Sequence, residues 1–307
     1  MIHNIIAGNF HESNVVILAP QLGPFASRFI ECGAAVRTGN LFELLNKIRD
    51  VFCIICNTIM TAQYVVELSK FPHCSIIWII HEWWTDEMIS ENLSIRNVKG
   101  MTLQTVHDAF SCATHIVFVC ESQRKLYSPI SSSSSVIYIG VPAPAPPVVI
   151  IPVLIPAAEK KLTFNFLSLG IVCPRKNQLW AVHLFKQFAI GRDDARLIIV
   201  GARHSRKYEV EYLKEVQAAI NGDPKIELHD VTTNVDRFYA AADAFLFTST
   251  NEVTPLVILE SMSYGIPVIT TNIAGIPEVK SCRTNHCCLL HSAFIYNPFL
   301  NVFDITW

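Results

Sequence analysis

Two glutamates beside a predicted helix start are of the residue type that accepts hydrogen bonds from hydroxyl groups. A buried strand is predicted to end at Thr248, and a helix to begin near Pro255, because proline is favoured in a first helical turn. Glu252 then lies in a loop at the carboxyl edge of a sheet, and Glu260 lies in the helix. A helix N-terminus attracts a diphosphate, and carboxylates accept hydrogen bonds from ribose and hexose hydroxyls. Taken alone, the pair is better interpreted as solvated glutamates at a helix start, where acidic residues are favoured.

The residues around this pair extend the pattern. Besides Glu252-x7-Glu260 it includes Ser261–Ile269, Gly275–Glu278, Phe166–Gly170 with Lys176, Leu197–Gly201 and Phe238–Ser249. Together these segments resemble the donor site of the retaining glycosyltransferases of family 4, strongly over Thr163–Glu278. A weaker resemblance in the first half rests on Ile80–Glu82, Cys120–Ser122 and Ile137–Val141.

The resemblance implies an α/β fold of the GT-B type, with two Rossmann-like, doubly wound parallel-sheet domains facing across a cleft. It also implies a metal-independent reaction without a cofactor. A hexose would pass from a nucleoside-diphosphate sugar, UDP- or GDP-linked, to an unknown acceptor with retained configuration.

Roles for individual residues follow from the same resemblance. Glu260 would hold the ribose hydroxyls, Glu252 the donor hexose, and Lys176 would neutralise the diphosphate leaving group. Pro255 and Leu256 at the helix start complete the donor site. Relatives carry arginine where this chain has Ile171, and we expect Arg175 to supply that second charge, although a merely solvated Arg175 is the alternative.

His81 is the candidate from the first half of the chain. Without the resemblance, a structural histidine is the better interpretation of this residue. With it, we expect His81 to face the donor sugar from across the cleft and to belong with Glu252 and Lys176 among the catalytic residues.

Strands and helices alternate along the chain, which predicts doubly wound parallel sheets. The predicted strands are Val15–Ala19, Val51–Cys56, Ser75–Ile80, His115–Cys120, Val136–Ile139, Asn165–Leu169, Ala195–Val200, Lys225–Leu228, Ala244–Thr248 and Pro267–Thr270. Ser131–Ser135 is predicted to be a flexible loop, and the proline-rich run Pro142–Pro147 an interdomain linker. We therefore expect an acceptor-side domain over residues 1–147, lacking its first strand, and a donor domain over residues 148–307, lacking its closing helices.

Composition narrows the remaining choices. The net charge of −2 gives no reason to expect nucleic acid as a partner. Val148–Ala158 is too short and too rich in proline for a membrane span, which leaves peripheral membrane contact open. Among the ten cysteines, Cys53 and Cys56 would point to opposite faces of a strand, and the Cys/His cluster over residues 282–291 lacks a paired CxxC pattern. We predict no metal site and a reducing, cytoplasmic location.

Three functions compete at this point. The first is an active hexosyltransferase. The second is a catalytically impaired, glycosyltransferase-like module that binds a nucleotide sugar, as the shortened ends and Ile171 would allow. A GT-B phosphorylase or an epimerase-like enzyme is the third, and the Glu252-x7-Glu260 spacing disfavours it.

Overall fold

The computed structural model describes residues 15–19, 26–40, 43, 53–71, 74–130, 132–141, 163–279 and 294–296. Contacts divide the chain into two compact units. The first contains Met1–Phe118 and Pro129–Ile139, and the second contains Val119–Ser128 and Gly140–Trp307. The predicted linker Pro142–Pro147, the apolar run Val148–Ala158 and the Cys/His cluster over residues 282–291 lie outside the described residues.

The first unit contains two parallel sheets. Strands β1 (Val16–Ala19) and β2 (Ala35–Thr38) pair with each other, and helix α1 (Ala26–Glu31) connects them. The second sheet has the order β3-β4-β5-β6, with β3 at Cys53–Asn57, β4 at Ser75–Ile79, β5 at His115–Phe118 and β6 at Ser133–Val136. Its helices are α2 (Ala62–Leu68), α3 (Asp86–Arg96) and α4 (Leu103–Cys112). Local sequence sets their ends: the Thr85 hydroxyl accepts from Met88 N, and Asn97 adopts the left-handed conformation that ends α3.

The second unit is built on one parallel sheet of six strands, of which β7 (Phe164–Leu169) and β10 (Ala244–Phe247) are the central pair. The other strands are β8 (Ala195–Ala202), β9 (Ile226–Asp230), β11 (Val268–Thr271) and β12 (Phe294–Tyr296). The helices are α5 (Glu121–Leu126), α6 (Gln178–Phe188), α7 (Lys207–Ile220), α8 (Asp236–Ala241), α9 (Leu256–Ser263) and α10 (Ile276–Val279).

The strand order of this six-stranded sheet decides where a ligand can bind. The chain runs outward from β7 through β8 to β9, then returns to the other side of β7 and runs outward through β10, β11 and β12. Such an order creates a topological switch point between β7 and β10. Ligands of doubly wound sheets bind at the carboxyl ends of the strands at this point, because the loops there diverge to opposite faces.

Most predicted strands are confirmed within a few residues, and the differences have physical causes. The prediction of a loop over Ser131–Ser135 is wrong from Ser133 onward, because β6 begins there and ends at Val136. Serine is a poor strand former, but here Ser133 and Ser135 both hydrogen-bond to the ring of His115, at 3.0 and 2.8 Å. Strand β2, with two exposed residues of four, was not predicted. No helix in the described part of the chain is long and apolar enough to cross a membrane.

Candidate functional site

The loop after β7 contains the two candidate cations. It runs from Gly170 into a short 3-10 turn, Pro174–Lys176, and α6 follows directly. Gly201, at the end of β8, packs against it so closely that a Cβ atom there would lie 2.2 Å from the carbonyl oxygen of Gly170. Gly201 also has a φ of +129°, so both space and backbone conformation demand glycine at this position.

The side chain of Gln178 hydrogen-bonds to the backbone of the same loop. This side chain is 2% exposed, accepts from Cys173 N at 3.3 Å and donates to the carbonyl of Ile171 at 3.1 Å. A buried amide with its donor and acceptor both engaged fixes the backbone around it. The loop therefore has one preset path, although its sequence carries no glycine after Gly170.

The end of β10 is bound to the same turn. Buried Thr248 donates to the carbonyl of Asn177 at 2.9 Å, and buried Ser249 donates to that of Arg175 at 3.0 Å. The backbone N–H of Thr250 also donates to the Arg175 carbonyl, at 2.8 Å. The loops after β7 and β10 are thus one hydrogen-bonded structure at the switch point.

Glu252 forms ion pairs with both cations of these joined loops. Its Oε1 accepts from Lys176 Nζ at 2.6 Å and from Arg175, which also donates to the carbonyl of Asn251 at 2.8 Å. Ser249 Oγ lies 3.0 Å from the same Oε1, and its single hydroxyl hydrogen is shared between Glu252 and the Arg175 carbonyl. The side chains of Lys176 and Glu252 are only 14% and 12% exposed, whereas that of Arg175 is half exposed. Arg175 and Lys176, expected to serve the diphosphate, are therefore both paired with the carboxylate expected to serve the hexose.

Burial lowers the pKa of Lys176 because the charged form loses its hydration, and Glu252 offsets part of this effect. Lys176 Nζ also lies 4.7 Å from the centre of the Phe247 ring, where the aromatic face attracts a cation. An anion reaching this position would gain a partly desolvated positive charge, which acts more strongly than one in water.

Helix α9 begins next to this cluster, as the sequence predicts. Pro255 is its buried N-cap, and Leu256, at 44% exposure, is its first residue. Thr254, just before them, donates to the carbonyl of Val119 at 3.3 Å. The first turn of α9 contains no acidic residue. No carboxylate of that turn therefore offsets the partial positive charge of the helix N-terminus, which favours a bound anion.

Glu260 lies on α9 and is half buried. Its Oε2 accepts a hydrogen bond of 2.7 Å from the hydroxyl of Tyr239, which lies on α8 and is 2% exposed. The Tyr239 ring stacks on that of Tyr264 with centres 5.1 Å apart, and the Tyr264 hydroxyl donates to Asp236 at 2.8 Å. The carboxylate assigned to ribose is thus held by a tyrosine pair between two helices.

The last part of the pattern, Gly275–Glu278, has a packing role. A Cβ atom on Gly275 would lie 2.0 Å from the carbonyl oxygen of Val253. Glycine at this position therefore allows a close packing that fixes the loop carrying Glu252. Glu278 accepts from the backbone N–H groups of Glu121 and Ser122, at 2.7 and 2.5 Å. This carboxylate therefore caps the N-terminus of α5, where negative charge is favoured.

His81 belongs to the first unit and follows β4. Its Nε2 lies 2.8 Å from Asn57 Oδ1 at the end of β3. The next residue, Glu82, accepts from the backbone N–H groups of His81 and Ile59, at 3.1 and 3.0 Å. Burial lowers the pKa of His81, which favours the neutral form of the ring. The structure thus holds His81 rigidly at a sheet's carboxyl edge within its own unit.

The structure brings Arg175, Lys176 and Glu252 into one ion cluster, with Pro255 and Leu256 at the adjacent helix start. Sequence reasoning missed the residues that support them: Gln178, Ser249, Tyr239 and Phe247. Three of these, Tyr239, Phe247 and Ser249, lie inside the segment Phe238–Ser249 that carries the resemblance, which was a usable signal. Among the described residues, no three metal-ligand side chains come together.

Residues 163–293 match the family model of the glycosyl transferases group 1, and this match covers β7 to β11 of the six-stranded sheet and the site. An uncharacterized glycosyltransferase of Methanocaldococcus jannaschii is 26% identical over 122 residues, 40% of this chain and 29% of that protein. Another, of Haemophilus influenzae, is 25% identical over 180 residues, 58% of this chain and 47% of that protein. The matches thus span less than half the length of these relatives.

Solved structures agree on the architecture. HepE of Anabaena, solved in complex with UDP, superposes with a TM-score of 0.74 over 97% of this chain and 81% of its own, at 16% identity. Its complex with UDP-glucose gives a TM-score of 0.71 at 17% identity. The fold is therefore an α/β fold with parallel sheets that matches the GT-B glycosyltransferase structures, and the match to the glycosyl transferases group 1 model lies within the second unit.

Proposed function

We propose that this chain is a retaining, metal-independent hexosyltransferase whose donor is a UDP-linked sugar. One observation carries the proposal: Arg175 and Lys176 meet Glu252 at the switch point of the six-stranded sheet, beside the N-terminus of α9. Two cations and a helix N-terminus match the charge of a diphosphate, and ligands of this fold class bind at that edge.

The ion cluster suggests how the donor would enter. In the structure, Lys176 and Arg175 both form ion pairs with Glu252. An incoming diphosphate would draw the two cations toward itself and free the carboxylate to accept hydroxyl groups of the hexose. Lys176 would then stabilise the charge that develops on the leaving diphosphate, which is the work a metal does elsewhere. Glu260 would accept from the ribose hydroxyls.

UDP is favoured over GDP because the HepE structures hold UDP and UDP-glucose. Retention rests on the resemblance of the run from Glu252 to Glu278. His81, fixed by Asn57, is proposed to face the sugar. The acceptor stays unassigned.

Calorimetric titration with UDP and GDP tests the site. We expect UDP to bind and Lys176→Met to abolish most of that binding. Lys207→Met is the matched control, because Lys207 is 91% exposed and carries only a weak contact to Glu211. A folded protein that binds no nucleoside diphosphate would refute the site assignment.

Turnover needs a separate assay. Release of UDP from UDP-hexoses in the presence of a panel of acceptors distinguishes a transferase from a binding module, and the anomeric configuration of the product tests retention by NMR. Binding without release from any donor would contradict the enzymatic proposal while leaving the donor site intact.

We also propose a reducing, cytoplasmic location, supported by the burial of Cys56, Cys120 and Cys173 among apolar residues, where cysteine acts as a small hydrophobic side chain. Acid-quenched alkylation of the protein in its host cell tests this. Extensive disulfide formation would contradict it.

A further inference from the structure

Tyr239 is buried and contacts Glu260 of the candidate site, but the proposed reaction gives this tyrosine no role. It is 2% exposed, and its hydroxyl donates to Glu260 Oε2 at 2.7 Å. Burial, and then the bond to Glu260, raise the pKa of Tyr239, so the phenol stays protonated and remains a donor at any working pH.

The bond restricts what Glu260 can do. An ionised carboxylate has about four acceptor positions on its two oxygens, and a phenol that donates to Oε2 takes one of them. The bond also selects one rotamer of a side chain that would otherwise sample several, at an entropic cost that the ligand would have to meet on binding. Glu260 is therefore presented as a fixed, acceptor-only group with Oε1 not engaged by Tyr239.

The surroundings make the position of the hydroxyl rigid. The Tyr239 ring stacks on Tyr264 at an interplanar angle of 19°, and it also contacts the ring of Phe245 in the core, with centres 6.3 Å apart. Tyr264 is tied in turn to Asp236 at the start of α8. The stacking of the two rings, rather than the Tyr264 hydroxyl, thus fixes α8 and α9 relative to each other, and with them the direction of the Glu260 carboxylate.

We propose that Tyr239 is a positioning residue that gives the donor site its preference for ribonucleotides over deoxyribonucleotides. The inference rests on the proposed function, in which Glu260 accepts from the ribose. A deoxyribose ligand lacks the 2′-hydroxyl that would donate to the fixed Glu260 carboxylate. The half-buried carboxylate is then left without this donor, and the energetic penalty weakens binding of the deoxyribose ligand. A carboxylate released from Tyr239 can turn to water instead, so the penalty shrinks.

The test compares the binding of UDP and 2′-deoxy-UDP by calorimetry, in the wild-type chain and two variants. Tyr239→Phe removes the hydroxyl on Glu260. Tyr264→Phe is the matched control, because it removes a hydroxyl from the stacked partner that bonds Asp236 and does not bond Glu260. We expect Tyr239→Phe to weaken UDP binding by about tenfold, as for roughly 1.4 kcal/mol, and to leave 2′-deoxy-UDP binding nearly unchanged. Tyr264→Phe should keep the wild-type ratio between the two ligands.

The outcomes separate the two proposals. Equal weakening of both ligands by Tyr239→Phe, or no weakening of either, overturns the positioning role while UDP binding by the wild type still supports the donor site. Absence of UDP binding in the folded wild-type chain overturns the proposed function itself. Thermal unfolding of both variants checks that any change in the ratio does not follow stability, and Glu260→Gln in the Tyr239→Phe background should add little further loss of UDP affinity if both act through one contact.

Discussion

The ion pair between Lys176 and Glu252 sets up an asymmetric stability experiment. At 2.6 Å and an effective dielectric constant of about 20, the attraction amounts to about 6 kcal/mol before desolvation. Removing one partner of a buried pair costs about 3–5 kcal/mol, because an uncompensated charge remains. Lys176 is 14% exposed, which leaves it little water as an alternative partner. We therefore expect Glu252→Gln to destabilise the second unit by about 3 kcal/mol.

Lys176→Met should cost less, because Glu252 keeps Arg175 and Ser249 as donors. The double variant should be more stable than the sum of the two losses predicts, with a coupling energy of about 2 kcal/mol. Urea unfolding, followed by circular dichroism, measures these values. With a urea dependence of about 2 kcal/mol/M, the Glu252→Gln midpoint should fall by about 1.5 M.

The exposed pair Lys207–Glu211, 3.9 Å apart, supplies the control, and Glu211→Gln should change the unfolding free energy by less than about 0.5 kcal/mol. Additive losses for Lys176→Met and Glu252→Gln, or a Glu252→Gln effect as small as that of the control, would show that the two groups do not form a coupled pair.

Three further predictions concern the same loops. Gly201→Ala, with a new Cβ 2.2 Å from the Gly170 oxygen, should lower the melting temperature by roughly 6–12 °C, for a cost of about 3 kcal/mol, while Gly222→Ala, which has φ +68° and open space, should lower it far less. Equal shifts would contradict the close approach. Gln178→Leu should cost about 2–3 kcal/mol in thermal unfolding and weaken UDP binding, and unchanged binding would separate the loop from the site. Burial lowers the pKa of Lys176, and a bound diphosphate should raise it again by stabilising the charged form. UDP binding should therefore take up protons in the alkaline range below the ordinary lysine pKa. Calorimetry in buffers of different ionisation enthalpy measures this uptake, and proton release in that range would contradict the prediction.

Sequence patterns predicted the backbone of the site better than its contacts. The strand predicted to end at Thr248 and the helix predicted to begin near Pro255 follow from apolar runs and from proline chemistry. Both predictions are confirmed within a residue, because β10 ends at Phe247 and α9 begins at Leu256. The pairing of Arg175 with Glu252 joins residues 77 positions apart, and no local pattern encodes such a contact. The expectation that Lys176 and Glu252 would serve different parts of the donor did not anticipate their ion pair.

Side-chain hydrogen bonding explains the other differences. The serine run was predicted to be a loop because propensity ignores the His115 ring that bonds Ser133 and Ser135. Tyr239 reads as an apolar core residue in any periodicity, and its role depends on one hydroxyl meeting Glu260 across two helices. Polar groups that are satisfied only in the folded state leave little trace in a hydrophobic pattern.

The cap that Glu278 places on α5 also has a consequence for the order in which the protein takes shape on the ribosome. Glu278 follows Ser122 by 156 residues, which at 5–20 residues per second is a delay of roughly 8–30 s. During this interval α5 has been synthesised but lacks the carboxylate that caps it. The second unit therefore completes its folding late in synthesis. A gene fragment that begins after residue 140 would encode this unit without Val119–Ser128, the segment that contains α5.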